Sequence, residues 1–175
     1  WTSSNANFAV ENLEDGSVLS TNNDGPWAAM FKEFTLGTND LIKLLDDNSS
    51  TTMYKLVVPM TIDLNSKKLS IDIGTNWSNY FLTTNESLTI KDGSIEGSAR
   101  SVVVAETKQN STDEQVVTLD SVKIALTNNN ATTVASVTNG FTIPFTNNNL
   151  SLVVKNSYIE AETNDYLIDV NGIKS

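Results

Sequence analysis

One short segment recurs four times and constrains the fold more than anything else in the chain. An apolar residue is followed by two polar or turn-forming residues, two variable ones, and a second apolar residue five places on. Leu64-Asn65-Ser66-Lys67-Lys68-Leu69 fits this pattern, as does Ile90-Lys91-Asp92-Gly93-Ser94-Ile95. So do Leu119-Asp120-Ser121-Val122-Lys123-Ile124 and Val154-Lys155-Asn156-Ser157-Tyr158-Ile159. The first anchors, 64, 90, 119 and 154, lie 26, 29 and 35 residues apart. A repeat of roughly 20–50 residues, whose single unit cannot bury its own apolar face, marks a stacked architecture.

The copies share a context. Residues 87–90 lead to 94–96 and then to 101–105; residues 116–119 lead to 123–126 and then to 132–137. Residues 150–154 lead likewise to 158–160 and 166–170. Before them come 54–60, 61–64 and 69–73, the last with apolar and polar residues alternating at period two. The expected unit is three short strands, with two residues between the first two and a longer polar loop before the third. A sandwich of hairpins would instead place turn signals at short, regular spacing between equal strands. Phe141-Thr142-Ile143-Pro144-Phe145 is a strand-like insert that explains the long third interval. Pro144, with no N–H for a ladder, puts it at an edge or in a loop.

Stacking would give the columns specific contents. Leu64, Ile90, Leu119 and Val154 would form one interior aliphatic column at ~4.8 Å spacing, and Leu69, Ile95, Ile124 and Ile159 a second. The position after the first anchor then runs Asn65, Lys91, Asp120, Lys155, alternating in charge from the second copy on. The next runs Ser66, Asp92, Ser121, Asn156, all small side chains able to hydrogen-bond a tight bend.

Helical periodicity is confined to the N-terminal part. Residues 1–24 are polar, with one strand-like run at Phe8-Ala9-Val10. Asn22-Asn23-Asp24-Gly25-Pro26 is a dense turn signal, and Pro26 suits the first position of a helix. Trp27, Met30, Phe31 and Phe34 follow at helical spacing and read as a core stripe. Leu36-Gly37-Thr38 breaks that helix. Thr38 or Asn39 can cap a second one over 40–46, with Leu41, Leu44 and Leu45 on one side. The expected division is a polar segment with a helical cap over 1–53, and stacked strands over 54–175.

At this point the chain resembles a known group. Residues 61–70, Thr-Ile-Asp-Leu-Asn-Ser-Lys-Lys-Leu-Ser, and 88–97, Leu-Thr-Ile-Lys-Asp-Gly-Ser-Ile-Glu-Gly, are similar to the rungs of right-handed parallel β-helices of the pectate-lyase-like type. Residues 39–46 resemble the amphipathic helix that caps the open N-terminal end of such domains. The resemblance covers roughly residues 54–170. It implies an all-β fold: a right-handed parallel β-helix, or solenoid, of about five short rungs with a small N-terminal helical cap. Such domains occur in polysaccharide lyases and hydrolases, bacterial surface adhesins and phage tail spikes, so it implies a scaffold and no single activity.

Composition removes whole classes of chemistry. A net charge of −10, with only 11 scattered cations, argues against binding nucleic acid or an anionic membrane. No run approaches the ~20 apolar residues of a membrane-spanning helix. There is no cysteine, hence no disulfide framework and no thiol chemistry. There is no histidine, which removes the usual activators of serine and cysteine nucleophiles and the imidazole metal ligands. No glycine-rich phosphate loop is present. No cofactor and no metal are expected. The start at Trp1 fits a processed or excised piece of a secreted or assembled protein, so the expected location is extracellular, on a cell surface or on a virion.

What remains for catalysis is carboxylates. Asp92, Asp120 and Glu96, with the single arginine, Arg100, nearby, are the candidate catalytic set; Asp63 and Asp72 could contribute to a pair. A paired-carboxylate hydrolase needs two acids within about 5–10 Å of each other. The plainer reading puts each on a solvated outward position or a bend. Glu160-Ala161-Glu162-Thr163-Asn164-Asp165 is acidic enough for weak calcium binding but lacks the spacing of a defined loop, and reads as a solvated one. Asn-x-Ser/Thr triplets occur at about the frequency that 22 Asn and 40 Ser or Thr make expected, and say nothing about glycosylation.

For binding, Trp77 and Tyr80 are the candidates. They lie in Thr75-Asn76-Trp77-Ser78-Asn79-Tyr80, in a long loop where recognition concentrates. An aromatic pair among Asn and Ser resembles a sugar-stacking platform; the bland alternative has Trp77 covering the end of the core. Three functions therefore stand as expectations. The first is a non-catalytic structural and recognition solenoid of a bacterial surface protein or phage appendage, binding a glycan or another cell-surface ligand, or itself as a trimer or filament. The second is a small polysaccharide lyase or glycoside hydrolase using the acids above. The third is a subunit of a larger filament or particle.

Overall fold

In a computed structural model, the chain is described over residues 8–12, 18–22, 40–74, 76, 79–106, 112–127, 135–138, 149–161 and 168–171. Among these residues there are strands, bends and turns and no helix. β1 (Phe8–Asn12) and β2 (Val18–Asn22) pair antiparallel. Five successive sets follow. The first is β3 (Asp40–Leu44), β4 (Asn48–Ser50) and β5 (Tyr54–Leu56). The second is β6 (Met60–Asp63), β7 (Lys68–Gly74) and β8 (Tyr80–Thr84). In the third, β9 (Leu88–Ala99) runs through the first two positions as one bent strand and is followed by β10 (Ser101–Glu106). The fourth is β11 (Gln115–Leu126), bent in the same way, and β12 (Ala135–Thr138). The fifth is β13 (Leu150–Lys155), β14 (Tyr158–Ala161) and β15 (Ile168–Asn171).

Strands of one set do not pair with one another. Each pairs, in parallel, with its counterpart in the neighbouring set. The first two positions build a ten-stranded sheet that also holds β1 and β2; the third builds a five-stranded sheet in the order β15-β12-β10-β8-β5. Parallel neighbours need a crossover, and here the crossover is the passage through the other sheet.

The apolar columns follow from that register. Ile42, Ile62, Ile90, Leu119 and Val154 stand opposite one another in sequence. The expected place of Leu64 in this column is thus taken by Ile62. Leu64 and Asn65 are a two-residue insertion, after which Ser66 N donates to Asp92 O (2.5 Å) and Leu69 faces Ile95. Leu64 turns inward, fully buried, into the space beside Gly93. A Cβ on Gly93 would overlap the Leu64 Cβ and the Lys67 carbonyl oxygen, so only glycine fits at this close approach. In the next set Val122 holds the register of Gly93 and is buried. The expected second column, Leu69, Ile95, Ile124 and Ile159, is present and begins with Asn48.

The bends share one backbone device. Ser66 (φ 60°), Asp92 (φ 59°), Ser121 (φ 57°) and Asn156 (φ 51°) are all left-handed, a conformation that short polar side chains tolerate better than branched ones. Between the sheets the core holds Leu82, Val103, Ala105 and Phe81, with Tyr54 packed edge-to-face on Phe81 at 6.0 Å between ring centroids. Burying each large aliphatic or aromatic side chain contributes about 1.5–3 kcal/mol.

The expected helix over 40–46 is not formed. Asp40–Leu44 is a strand, antiparallel to β1 and parallel to β6, with Ile42 and Leu44 buried and Lys43 between them partly exposed. A helix this short gains few internal hydrogen bonds, whereas the strand is paired along both edges. The parallel strands of the larger sheet are therefore flanked at their N-terminal side by β1, then β2. The expected helix starting at Pro26 and the Phe141–Phe145 insert lie outside the described residues.

Candidate functional site

The outward position after the first aliphatic column carries an alternating ladder: Lys43, Asp63, Lys91, Asp120 and Lys155 stand in register across all five sets. The two-residue insertion explains why Asp63 occupies the place expected of Asn65, and why the alternation is longer than the repeat alone suggested. Opposite charges facing one another on a sheet surface attract, and like charges would repel. Lys91 Nζ lies 3.0 Å from Asp63 Oδ2 and 3.4 Å from Asp92 Oδ2. The hydrogen bond it donates to Asp63, ahead of the opposing effect of burial, lifts the Lys91 ammonium above its ordinary range. Lys155 Nζ lies 3.0 Å from Asp120 Oδ2, and that bond, helped by Ser121 and Asn156, holds the Asp120 carboxyl below its ordinary range. Asn65, displaced from the ladder, donates its Nδ2 to Leu44 O (2.8 Å) and ties the second set to the first.

Beyond the bend, on the other limb of the same sheet, a second group forms. Lys123 Nζ lies 3.6 Å from Glu96 Oε1 and 4.0 Å from Glu160 Oε1. Tyr158 donates its hydroxyl to Glu160 Oε2 at 3.0 Å, and the carboxylate pushes the phenol pKa up. Between ladder and lysine runs an open groove of about 600 Å³ that crosses four sets along their bends. Asp63, Asn65, Asp92, Ser121, Lys123 and Tyr158 are among the residues lining it. Small bend residues keep it shallow and polar, with the exposed Tyr158 ring at the fifth-set end. Such a surface offers hydroxyl, amide, carboxylate and amine groups at steps of one strand spacing.

The predicted catalytic residues come together only in part: Asp63 and Asp92 both lie against the Lys91 ammonium, which bridges them, while the others stand apart from that pair. Asp120 belongs to the ladder, against Lys155, and Asp92 stands at the bend next to it, against Lys91. Glu96 is on the other limb with Lys123. Asp72 is exposed on β7, opposite Ser98. Arg100 sits at the corner between β9 and β10, only 7% exposed, its backbone N–H donating to Asn79 O at 2.9 Å. There it meets Tyr80, the first residue of β8, which faces Ser101 in register. Burial pushes the Tyr80 phenol up, the Arg100 charge opposes this, and Glu106 adds to it. So Tyr80 and Arg100 are neighbours, with Glu106 close enough to act on Tyr80, while Trp77 lies outside the described residues. In the acidic run at 160–165, Glu160 belongs to the Lys123 group, and Glu162 and Asp165 lie outside the described residues.

Sequence reasoning missed Lys43, Asp63, Lys123 and Tyr158 as parts of one surface. A usable signal existed: Ile62-Asp63 repeats the Leu119-Asp120 dipeptide, and matching them would have revealed the insertion. Comparison with family models, with curated proteins and with solved structures finds no match for this chain.

Proposed function

We propose that the chain coils as a right-handed parallel β-helix of five short rungs and works by presenting surfaces. It is a non-catalytic structural and recognition element of a bacterial surface protein or a phage appendage, placed outside the cell or on a virion. The right hand follows the general preference of parallel crossovers. The observation that carries this reading is how the acids are used. Asp63, Asp120 and Glu96 each lie against a lysine of the following set, so their charges help to hold neighbouring strands in register. Acid–base cleavage of a glycosidic bond needs instead two carboxyl groups aimed at one bond.

The ligand class supported best is an extended, uncharged glycan lying along the bend groove. Its hydroxyls would meet Asn65, Asp92, Ser121 and Asn156 at steps of ~4.8 Å, and a ring could stack on Tyr158. A glycan array scored for both retention and new reducing ends tests this. Retention without cleavage, weakened by Tyr158→Ala, is the expected result. Cleavage abolished by Asp92→Asn or Asp120→Asn would overturn it in favour of a lyase or hydrolase.

A further inference from the structure

The apolar columns do not stop where their burial stops. Ile62, Ile90 and Leu119 are buried, but Val154, at the same register, is 39% exposed. Ile159 and Leu152 are only partly buried, although Ile124 and Val117 opposite them are fully so. Among the described strands, β13 and β14 have β11 on one side and no neighbour on the other. Among the described residues this edge thus presents interior-type side chains and a row of backbone groups with no strand partner, the template that strand addition uses.

The charge ladder says what fits there. Lys91 stands in register between two aspartates, Asp63 and Asp120, and Lys123 lies between Glu96 and Glu160. Lys155, the last of the ladder among the described residues, has among them Asp120 on one side only. The alternation continues if the next strand carries a carboxylate opposite Lys155, with aliphatic residues over Val154 and Ile159. A second copy of this chain matches poorly. Its other terminal strand, β2, is Val18-Leu19-Ser20-Thr21-Asn22, without a charge, and β13 itself offers only another lysine. A net charge of −10 also opposes self-association.

We infer that the β13–β14 edge is a docking edge for an extended segment of another polypeptide, which adds as a parallel strand with Asp or Glu opposite Lys155 and aliphatic residues over Val154 and Ile159. The inference needs only the register of β11, β13 and β14, and stands whether or not the glycan reading does.

The chain itself contains the ideal probe. A peptide of the β11 sequence, Gln-Val-Val-Thr-Leu-Asp-Ser-Val-Lys-Ile-Ala-Leu, seated on β13 would place its Asp opposite Lys155 and its Lys within reach of Glu160. Added to the full chain, it is expected to bind and to slow amide exchange at residues 150–155. The same peptide with Lys in place of Asp should bind about fivefold more weakly, the size of an exposed ion pair. Lys155→Glu, a change at an exposed side chain, should reverse that preference. No protection of 150–155 by either peptide overturns the inference, as does binding indifferent to the charge at the Asp position. Protection at 150–155 that appears with rising concentration of the chain alone also overturns it, because the occupant is then a second copy.

Discussion

The middle sets and the last set carry nearly the same pattern and bury it differently. Ile90 and Leu119 are 0% exposed, whereas Val154, in register with them, is 39% exposed, with Tyr158 and Val153 open beside it. Local sequence does not account for this: apolar-charged-bend-apolar describes residues 119–124 and 154–159 alike. What differs is the number of neighbours. A unit that cannot bury its own apolar face becomes core only when a strand lies on each side. Stability should therefore be concentrated in the middle, and the last edge should be the part most responsive to a partner.

The largest effect should come from cavities. Leu119→Ala is expected to cost about 2–5 kcal/mol, and Val154→Ala less than about 1 kcal/mol, because its side chain is part-exposed and its surroundings can relax. Urea unfolding of both variants tests the contrast, and equal costs would break it. Next comes Gly93→Val. Although it copies Val122, which shares its register, it should cost about 1–3 kcal/mol by crowding Leu64. Leu64→Gly in the same chain, which removes the overlapping Cβ, should recover part of that loss, and a double-mutant cycle without coupling would mean that Leu64 does not sit against Gly93.

Smaller effects belong to the ladder. Lys91→Met should cost at most about 1 kcal/mol, because the pair is largely solvated, and less at high salt. Since the folded state raises the Lys91 pKa, the contribution is complete below its ordinary value of 10.5 and fades as pH rises through the raised one. The difference between wild type and Lys91→Met should thus hold from neutral pH to about 10 and shrink above it. The smallest effect is at Asp120. Its carboxyl pKa is lowered, so its contribution is present above 3.8 and disappears as pH falls through the lower folded value. An NMR titration should place the Asp120 midpoint below 3.8, and a midpoint above it would remove Lys155 as its partner.

Much of the fold was legible because the repeat is periodic in two ways at once. The five-residue step between anchors located the bends of the second to fifth sets, and the small polar residue two places after each first anchor marked the left-handed position. The error at Leu64 arose because Leu64-Asn65-Ser66 imitates the pattern while being shifted by two residues; the Ile62-Asp63 dipeptide offered the other register, and pairing with β9 decides for it. Residues 40–46 carry Leu41, Leu44 and Leu45 at helical spacing and Ile42 and Leu44 at strand spacing. β1 and β6, distant in sequence, decide between them. The candidate site was the least legible part. Asp92, Glu96 and Arg100 are close along the chain, but the bend at Asp92 and the corner at Arg100 send them to different surfaces, and it is Asp120, a full repeat away, that returns beside Lys91.

The central claim is the parallel register, and the absence of cysteine allows it to be tested without background. Two double variants would be made, Thr61→Cys with Thr89→Cys and Asp63→Cys with Lys91→Cys, and oxidised. Paired strands lie ~4.8 Å apart, within the Cα range of a disulfide at ~4.4–6.8 Å. The account predicts that both pairs cross-link, each within one chain, as read by mass spectrometry. Cross-linking of Asp63→Cys with Thr89→Cys instead would contradict it in favour of the register that places Leu64 opposite Ile90. Cross-linking of only one of the two pairs would mean that the strands are not parallel.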